Sequence, residues 1–154
     1  MKKLSYVDFP KIPEELLLSI EGITDPNRPK PVTRGTPKYW IEGFSRKTMN
    51  DELIEWLHNN LPIKIDVVQY QVISQDVMQH TDLTTYAYNY QLTLGGPDVR
   101  TEFADESGNI VETHVIPTYQ WVRLKSDVLH GVAGIEPGQL RIAVNIRTSE
   151  HYGD

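Results

Sequence analysis

The feature that most constrains this fold is a change in hydrophobic periodicity near residue 64. From that point on, apolar residues recur at every second position in short runs, which is the period of a β-strand and not of a helix. In 85–94, tyrosine and leucine alternate with small and polar residues, and in 140–147 isoleucine and valine alternate with Arg, Ala and Asn. Many short strands at close spacing indicate a sandwich or barrel. The predicted strands are 64–73, 77–82, 85–94, 99–104, 110–116, 119–124, 127–130 and 140–147.

The part of the chain before this β region predicts two short helices and a loop. Residues 13–22 begin with proline, carry acids in the first turn and end with glycine, and 49–60 has an apolar face with Thr48 or Asn50 as its N-cap. Several prolines between 25 and 37 exclude a helix or a central strand there. We therefore expect two helices packed outside a β core.

The length of 154 residues predicts one domain, with a helical and irregular flank at 1–62 and the β core at 63–148. The chain has no cysteine, which excludes disulfides, zinc ribbons, iron–sulfur clusters and a cysteine nucleophile. A metal site must therefore use His, Asp, Glu or carbonyl oxygen. No apolar run is long enough to span a bilayer, and the first residues do not resemble a signal peptide. We expect a soluble, cytoplasmic protein.

The distribution of charge argues against a general nucleic-acid coat. The chain has 15 basic and 21 acidic residues, which gives a net charge of −6. Between residues 28 and 47, however, there are six basic residues and one acid. This stretch is either a solvated loop or a basic flap that holds an anionic substrate, and the loop at 25–47 is a candidate lid.

The first candidate for chemistry is His80-Thr81-Asp82. Residues i and i+2 of a strand point to the same side, so the imidazole and the carboxylate could reach one metal ion. A second histidine would complete the arrangement of two histidines and one carboxylate that suits non-haem Fe(II). We favour His130, because it ends a short strand and Gly131 allows close approach of the backbone. The alternatives are His114 on a predicted strand, His58 on the predicted helix and His151 in the tail.

Arg141 opens the last predicted strand and is a candidate anion ligand. The planar guanidinium of arginine donates two parallel hydrogen bonds to a carboxylate. Arg147 lies on the same face of the strand and competes for this role, although we expect it to be an ordinary surface cation. Hydrolase chemistry is disfavoured, because no Gly-x-Ser-x-Gly motif surrounds a serine.

The order of these motifs resembles the iron(II)/2-oxoglutarate-dependent dioxygenases, and most closely their prolyl 4-hydroxylase-like branch. The resemblance covers about residues 68–147 and implies a double-stranded β-helix, that is, a jelly-roll, cupin-like core. The segments that carry it are His80-x-Asp82, the tyrosine-rich strand ending in Gly95-Gly96, Thr101-Glu102-Phe103, Pro117, Leu129-His130-Gly131-Val132, Gly138 and Arg141.

The resemblance also implies roles for individual residues. His80, Asp82 and His130 would hold Fe(II), and Arg141 would pair with the distal carboxylate of the cosubstrate 2-oxoglutarate. Tyr70 and Tyr90, with Tyr88 as an alternative to Tyr90, would line the cosubstrate pocket; their other interpretation is core packing, since tyrosine rings bury well. The implied activity is hydroxylation of a peptidyl (prolyl-type) side chain or of a small molecule.

Two other functions remain open from the residues alone. One is a cupin-like metal protein or sugar-binding jelly-roll protein without 2-oxoglutarate chemistry. The other is a non-enzymatic interaction module that uses the basic loop as its partner surface. The role of Arg141 distinguishes the first of these functions from 2-oxoglutarate chemistry, because a protein without a dicarboxylate ligand does not need this guanidinium.

Overall fold

The computed structural model describes residues 2–31 and 42–148, and it is built mainly from two antiparallel β-sheets with two short helices. The larger sheet has the strand order β1-β8-β5-β10-β3-β2, and the smaller has the order β4-β9-β6-β7. The strands are β1 (Leu4–Tyr6), β2 (Phe44–Lys47), β3 (Val67–Ile73), β4 (Val77–His80), β5 (Tyr86–Leu94), β6 (Arg100–Ala104), β7 (Ile110–His114), β8 (Trp121–Lys125), β9 (His130–Ala133) and β10 (Arg141–Thr148).

Each predicted strand corresponds to one of β3 to β10, with shifted ends. The largest difference is at 127–130, where a turn follows β8 and the strand begins only at His130. The short strands β1 and β2 were not predicted. They have three and four residues and extend the sheet by pairing with β8 and β3, which no local periodicity of that length reveals.

The prediction of the second helix is confirmed, and that of the first is wrong. The helix α2 covers Asp51–Asn60, and Asn50 is its N-cap residue without a capping side-chain hydrogen bond. In place of one helix at 13–22, the chain forms a 3-10 turn at Glu14–Leu16 and then the helix α1 at Ile20–Thr24. Ser19 breaks the segment, because it is extended and its hydroxyl accepts a hydrogen bond from the Gly22 N–H, which starts a new helix.

The two faces of the larger sheet have different partners. Tyr70, Tyr88 and Tyr90 are buried against the N-terminal segment and α2, in a cluster that includes Leu53 and Leu57. Burying each of these large side chains contributes roughly 1.5–3 kcal/mol to folding. The opposite face lies toward the smaller sheet. The strands β3, β5 and β10 place a mixed set there: Gln69, Gln71, Ala87, Asn89, Gln91, Ala143 and Asn145.

The polar residues on this inner face form rows across the strands. Gln69 Nε2 donates to Asn145 Oδ1 at 3.2 Å, and Asn145 Nδ2 donates to Asn89 Oδ1 at 2.7 Å. A purely structural sandwich would fill this space with apolar side chains, as a smaller cluster around Phe103 and Val122 does elsewhere. The polar rows therefore mark the space between the sheets as a candidate site.

Part of the predicted lid at 25–47 lies outside the described residues. Its described ends are attached to the rest of the fold. Arg28 donates to the carbonyls of Gly22 and Thr48, and Lys47 Nζ donates to the carbonyl of Asp25. Within 2–31 and 42–148, no helix has the length and apolar character needed to cross a membrane.

Candidate metal site

His80, Asp82 and His130 converge at one end of the space between the sheets. One ligand atom from each residue lies within 4.8 Å of the others. The strands β4 and β9 are antiparallel neighbours in which His80 and His130 are direct cross-strand partners. Asp82 lies two residues after the end of β4, and its backbone N–H donates to the Ser126 carbonyl at 2.8 Å. The structure therefore unites the three residues that the sequence selected as metal ligands.

The ligand atoms of the three side chains point toward one another. His130 Nε2 is 3.3 Å from Asp82 Oδ2, and His80 Nε2 is 3.6 Å from Asp82 Oδ1. The two imidazole rings are tilted, with their centroids 4.4 Å apart. Two imidazole nitrogens and one carboxylate oxygen on one side of a central point form a group that could hold a metal ion.

The other nitrogen of each imidazole is held by the backbone. His80 Nδ1 is 2.8 Å from the Met78 carbonyl, and His130 Nδ1 is 2.8 Å from the Val128 carbonyl. A carbonyl only accepts, so Nδ1 carries a proton in each ring, and Nε2 is the nitrogen at which a metal ion would bind in place of a proton. Metal-binding histidines are oriented by hydrogen bonds of this kind. Both rings therefore present the nitrogen that faces the centre of the cluster.

The electrostatics of the cluster favour the protonation states that a metal needs. Burial raises the pKa of Asp82, but the hydrogen bond from His130 and the charge of Arg147 outweigh this and lower that pKa to about 2. Burial and the neighbouring His130 lower the pKa of His80. At neutral pH, Asp82 is thus ionised and His80 is neutral, as metal coordination requires.

Gly131 allows the two histidine-bearing strands to pair closely. A Cβ atom at this position would lie 2.5 Å from the Val77 carbonyl oxygen and 3.1 Å from Gln79 Nε2. Because real Cβ atoms do not approach a carbonyl oxygen so closely, any other residue would push β4 and β9 apart. The glycine next to His130 therefore has the role of close approach that the sequence predicted for it.

Arg141 lies in the same cavity and is almost completely enclosed, with 2% of the residue exposed. Its Nη1 donates to the Leu94 carbonyl at 3.3 Å, which leaves most of its donors for other partners. Burial lowers its pKa to about 10, so the guanidinium stays charged at neutral pH. A buried cation in the cavity that also contains the metal-ligand cluster is a candidate binding group for an anion.

Arg147 differs from the surface cation expected from the sequence. Its side chain is 12% exposed, and its Nη1 lies 3.7 Å from Asp82 Oδ1. Its Nε donates to Asn145 Oδ1 at 3.3 Å. Side chains alternate along β10, so Arg141, Asn145 and Arg147 share the face that lines the cavity. The alternation was visible in the sequence, but only the sheet shows that this face is covered.

The cavity itself has a volume of about 60 Å³. Since one water molecule needs roughly 10–15 Å³ on this measure, the space accommodates several waters or a small ligand group. Its wall combines the three candidate metal ligands and the two arginines with neutral amides. The side-chain oxygen of Gln91 is buried there without a hydrogen-bond partner among the described residues. An unpaired buried acceptor of this kind is costly unless a ligand or water binds it.

The structure does not bring Tyr70 and Tyr90 to this cavity. Both rings lie on the opposite face of the larger sheet, one residue out of phase with the cavity-lining positions of β3 and β5. The Tyr70 hydroxyl donates to Asn50 Oδ1 at 2.8 Å, and the Tyr90 hydroxyl is hydrogen-bonded to the backbone of Ile12. Their described contacts are those of core packing, which was the other interpretation of these tyrosines.

The two other histidines of the described residues, His58 and His114, do not join the cluster. His114 Nε2 lies 3.4 Å from Glu112 Oε2 on β7, and His58 is exposed on α2. His151 is outside the described residues. The sequence-based preference for His130 thus agrees with the geometry.

Comparisons with known proteins do not assign this chain to a family: no family model matches it, and no curated protein matches it. The function is therefore argued from the site.

Proposed function

We propose that this protein is an Fe(II)- and 2-oxoglutarate-dependent oxygenase with a jelly-roll core. The observation that carries the proposal is the presence of His80, Asp82 and His130 around one point, with Arg141 in the same cavity. The resemblance of the sequence motifs to this dioxygenase superfamily supports the same conclusion.

The pairing of the strands supports the jelly-roll assignment. The outermost strands of the β region, β3 and β10, pair with each other, and so do β4 with β9, β5 with β8 and β6 with β7. Successive nested pairs are divided between the two sheets, as expected for a long hairpin folded over on itself. Eight antiparallel strands in two sheets are typical of jelly rolls. On this interpretation, β1 and β2 are additions at the edges of the larger sheet.

The donor set favours iron among the common metals. Two imidazoles and one carboxylate on one side of a metal leave adjacent positions open, which is the arrangement used by non-haem Fe(II) oxygenases. Bound iron would supply the oxidative chemistry that couples decarboxylation of 2-oxoglutarate to hydroxylation of a C–H bond. The chain holds the two imidazoles in the required tautomer through the carbonyls of Met78 and Val128.

Arg141 provides the second element that the cosubstrate needs. 2-Oxoglutarate is a dicarboxylate, and the carboxylate remote from its 2-oxo acid group fits the two parallel N–H donors of a guanidinium. Enclosure of Arg141 strengthens such an ion pair, because the local dielectric constant is lower than in water. The neutral amides of the wall contribute further hydrogen-bond donors.

The substrate would be bound at the open side of the cavity. A peptidyl side chain is the first class to test, because the motifs resemble those of the prolyl 4-hydroxylase-like branch. This part of the proposal rests on analogy between families, which indicates chemistry more reliably than it indicates substrate.

The test is anaerobic absorption spectroscopy of the full chain. Addition of Fe(II) and then 2-oxoglutarate should produce the visible charge-transfer band of an iron-bound 2-oxo acid. His80→Ala and His130→Ala should each abolish the band, whereas His114→Ala, which removes a histidine outside the cluster, should retain it. A band that persists in both cluster variants would refute the proposed ligands.

A second variant separates this function from that of a cupin-like metal or sugar-binding protein. Arg141→Gln should retain Fe(II) binding but weaken 2-oxoglutarate binding, because the charged partner of the distal carboxylate is lost. Equal affinity in the wild type and in this variant would favour a metal protein without a dicarboxylate cosubstrate. A non-enzymatic interaction module would be indicated if neither Fe(II) nor 2-oxoglutarate raised the melting temperature.

A further inference from the structure

A third arginine, Arg46, lies beside the candidate site. It is on β2, whose residue Phe44 lines the cavity, and side chains two apart on a strand share a face. The sheet register gives the same placement, since Arg46 pairs with Gln71, which also lines the cavity. The guanidinium carbon of Arg46 lies 5.7 Å from the centre of the Phe44 ring. Arg46 therefore extends along the edge of the cavity.

The electrostatic environment of Arg46 shows that it is close to the cluster. Burial and the charge of Arg147 lower the pKa of Arg46, and the carboxylate of Asp82 opposes them. Two guanidinium groups thus repel each other at the side of the cavity where Asp82 lies. The carboxylate of Asp82 offsets only part of this repulsion, and an anion bound between the two guanidinium groups would offset the rest.

The cavity has an excess of positive charge. Among the described residues that line it, Asp82 is the only carboxylate, whereas Arg141 and Arg147 are both cationic, and Arg46 adds a third guanidinium. A divalent metal ion and a dianionic cosubstrate would cancel each other and leave this excess in place. The excess is local, because the whole chain carries a net charge of −6. An additional anion would offset this excess of positive charge.

Arg46 differs from its basic neighbours in having free donors. Arg28 and Lys47, from the same basic stretch, donate to backbone carbonyls and so stabilise the loop. Within 2–31 and 42–148, Arg46 makes no hydrogen bond or ion pair, and Arg147 uses only part of its donor set on Asp82 and Asn145. The two arginines therefore have N–H groups available for a ligand.

We propose that Arg46 and Arg147 bind an oxyanion, a carboxylate or a phosphate monoester, carried by the substrate. Arg141 is reserved for the cosubstrate, so this anion site is a separate one. The assignment of the anion to a substrate rests on the proposed function, but the binding of the anion does not. The primary substrate is accordingly an acidic molecule or an acidic side chain, with the C–H bond to be hydroxylated near its anionic group.

The test uses acetate and inorganic phosphate as probes of the metal-free, ¹⁵N-labelled full chain. Each salt replaces chloride at constant ionic strength, so that screening stays the same, and the backbone amides of β2, β3 and β10 are followed by NMR. To exclude binding at Arg141, the titration is repeated in Arg141→Gln. We expect saturable shifts in both proteins, with the tighter probe identifying a carboxylate or a phosphate.

Arg46→Gln should weaken the tighter probe by about tenfold or more, which corresponds to about 1.4 kcal/mol, and Arg46→Lys should restore part of the affinity. Arg100→Gln is the matched control, because Arg100 is a partly exposed arginine that pairs with Glu102 on β6. The proposal is overturned if neither probe gives saturable shifts, or if Arg46→Gln binds as tightly as the wild type.

The two proposals fail in different ways. Arg46→Gln should retain the anaerobic charge-transfer band, because it leaves the metal ligands and Arg141 in place. A normal band without saturable anion binding would refute the anion site alone. Saturable anion binding without a band in the wild type would refute the oxygenase function and leave the anion site standing.

Discussion

The substitution Tyr70→Phe separates the role of Tyr70 in the structure from the cosubstrate role implied by the sequence. Tyr70 is completely buried between the larger sheet and the N-terminal segment. Its hydroxyl donates to Asn50 Oδ1 at 2.8 Å and accepts from the Leu18 N–H at 3.3 Å. The substitution removes one oxygen atom and keeps the ring, so its effect reports these two hydrogen bonds.

The expected cost follows from the groups left behind. A neutral hydrogen bond contributes about 0.5–1.5 kcal/mol net, so the loss of two predicts a decrease of about 1–3 kcal/mol in the free energy of unfolding. In a chain of this size each kcal/mol lowers the melting temperature by roughly 2–4 °C. The melting temperature should therefore fall by about 2–12 °C. Affinity for 2-oxoglutarate should not change, because the hydroxyl points away from the cavity.

The assay is urea denaturation followed by tryptophan fluorescence, combined with titration of 2-oxoglutarate in the presence of Fe(II) without oxygen. Tyr6→Phe is the control, since Tyr6 is 56% exposed and its hydroxyl is close to bulk water. The reasoning would be refuted if Tyr70→Phe left stability unchanged, or if it weakened cosubstrate binding while stability stayed the same.

Three further predictions concern the metal site. The metal-free protein should lose stability as the pH falls below 6.5, because the pKa of His80 is lower in the folded chain than in the unfolded chain, where it is near 6.5. A second loss of roughly 2 kcal/mol should follow between pH 3.8 and about 2, as Asp82 is protonated. This second loss should be absent in Asp82→Asn. Denaturation over this pH range checks both, and a flat profile would contradict them. Gly131→Ala should destabilise the protein by about 1–3 kcal/mol and weaken metal binding, since the new methyl group meets the Val77 carbonyl; unchanged metal affinity would show that close pairing of β4 and β9 is dispensable. Fe(II) at about one hundred times its dissociation constant should raise the free energy of unfolding by about 2.7 kcal/mol in the wild type under anaerobic conditions, and calorimetry should detect no such gain in His80→Ala.

Prediction from the sequence was most successful where a local period decides the structure. The period-2 pattern located β3 to β8 and β10 to within a few residues, because side chains of a strand alternate between its two faces, whereas the strand predicted at 127–130 overlaps β9 only at His130. The prediction of one helix at 13–22 was wrong because it also relied only on local sequence signals. The proline, acids and glycine of this segment fit one helix, but Leu17 is extended, with φ −80° and ψ 134°, and Ser19 caps a separate helix. Contacts outside the segment decided the outcome.

The candidate site shows the same division between local and long-range information. The spacing of His80 and Asp82 places both side chains together, and Gly131 pointed to His130. The assignment of Tyr70 depended on which face of β3 meets the other sheet. That choice is set by the pairing of β3 with β10 and by the packing of α2, neither of which leaves a pattern within the strand.

The position of β4 at the edge of its sheet has a consequence for hydrogen exchange. Among the strands of 2–31 and 42–148, its only hydrogen-bonded neighbour is β9. The register between the two strands holds Val77 opposite Val132 and His80 opposite His130, with an irregularity between these pairs. So short and irregular an edge opens more readily than the centre of the sheet. A metal ion bound by both imidazoles would hold β4 and β9 together at the end of the pair that carries His80 and His130. Deuterium uptake by the amides of β4 would then report occupancy of the site directly, before any substrate has been identified.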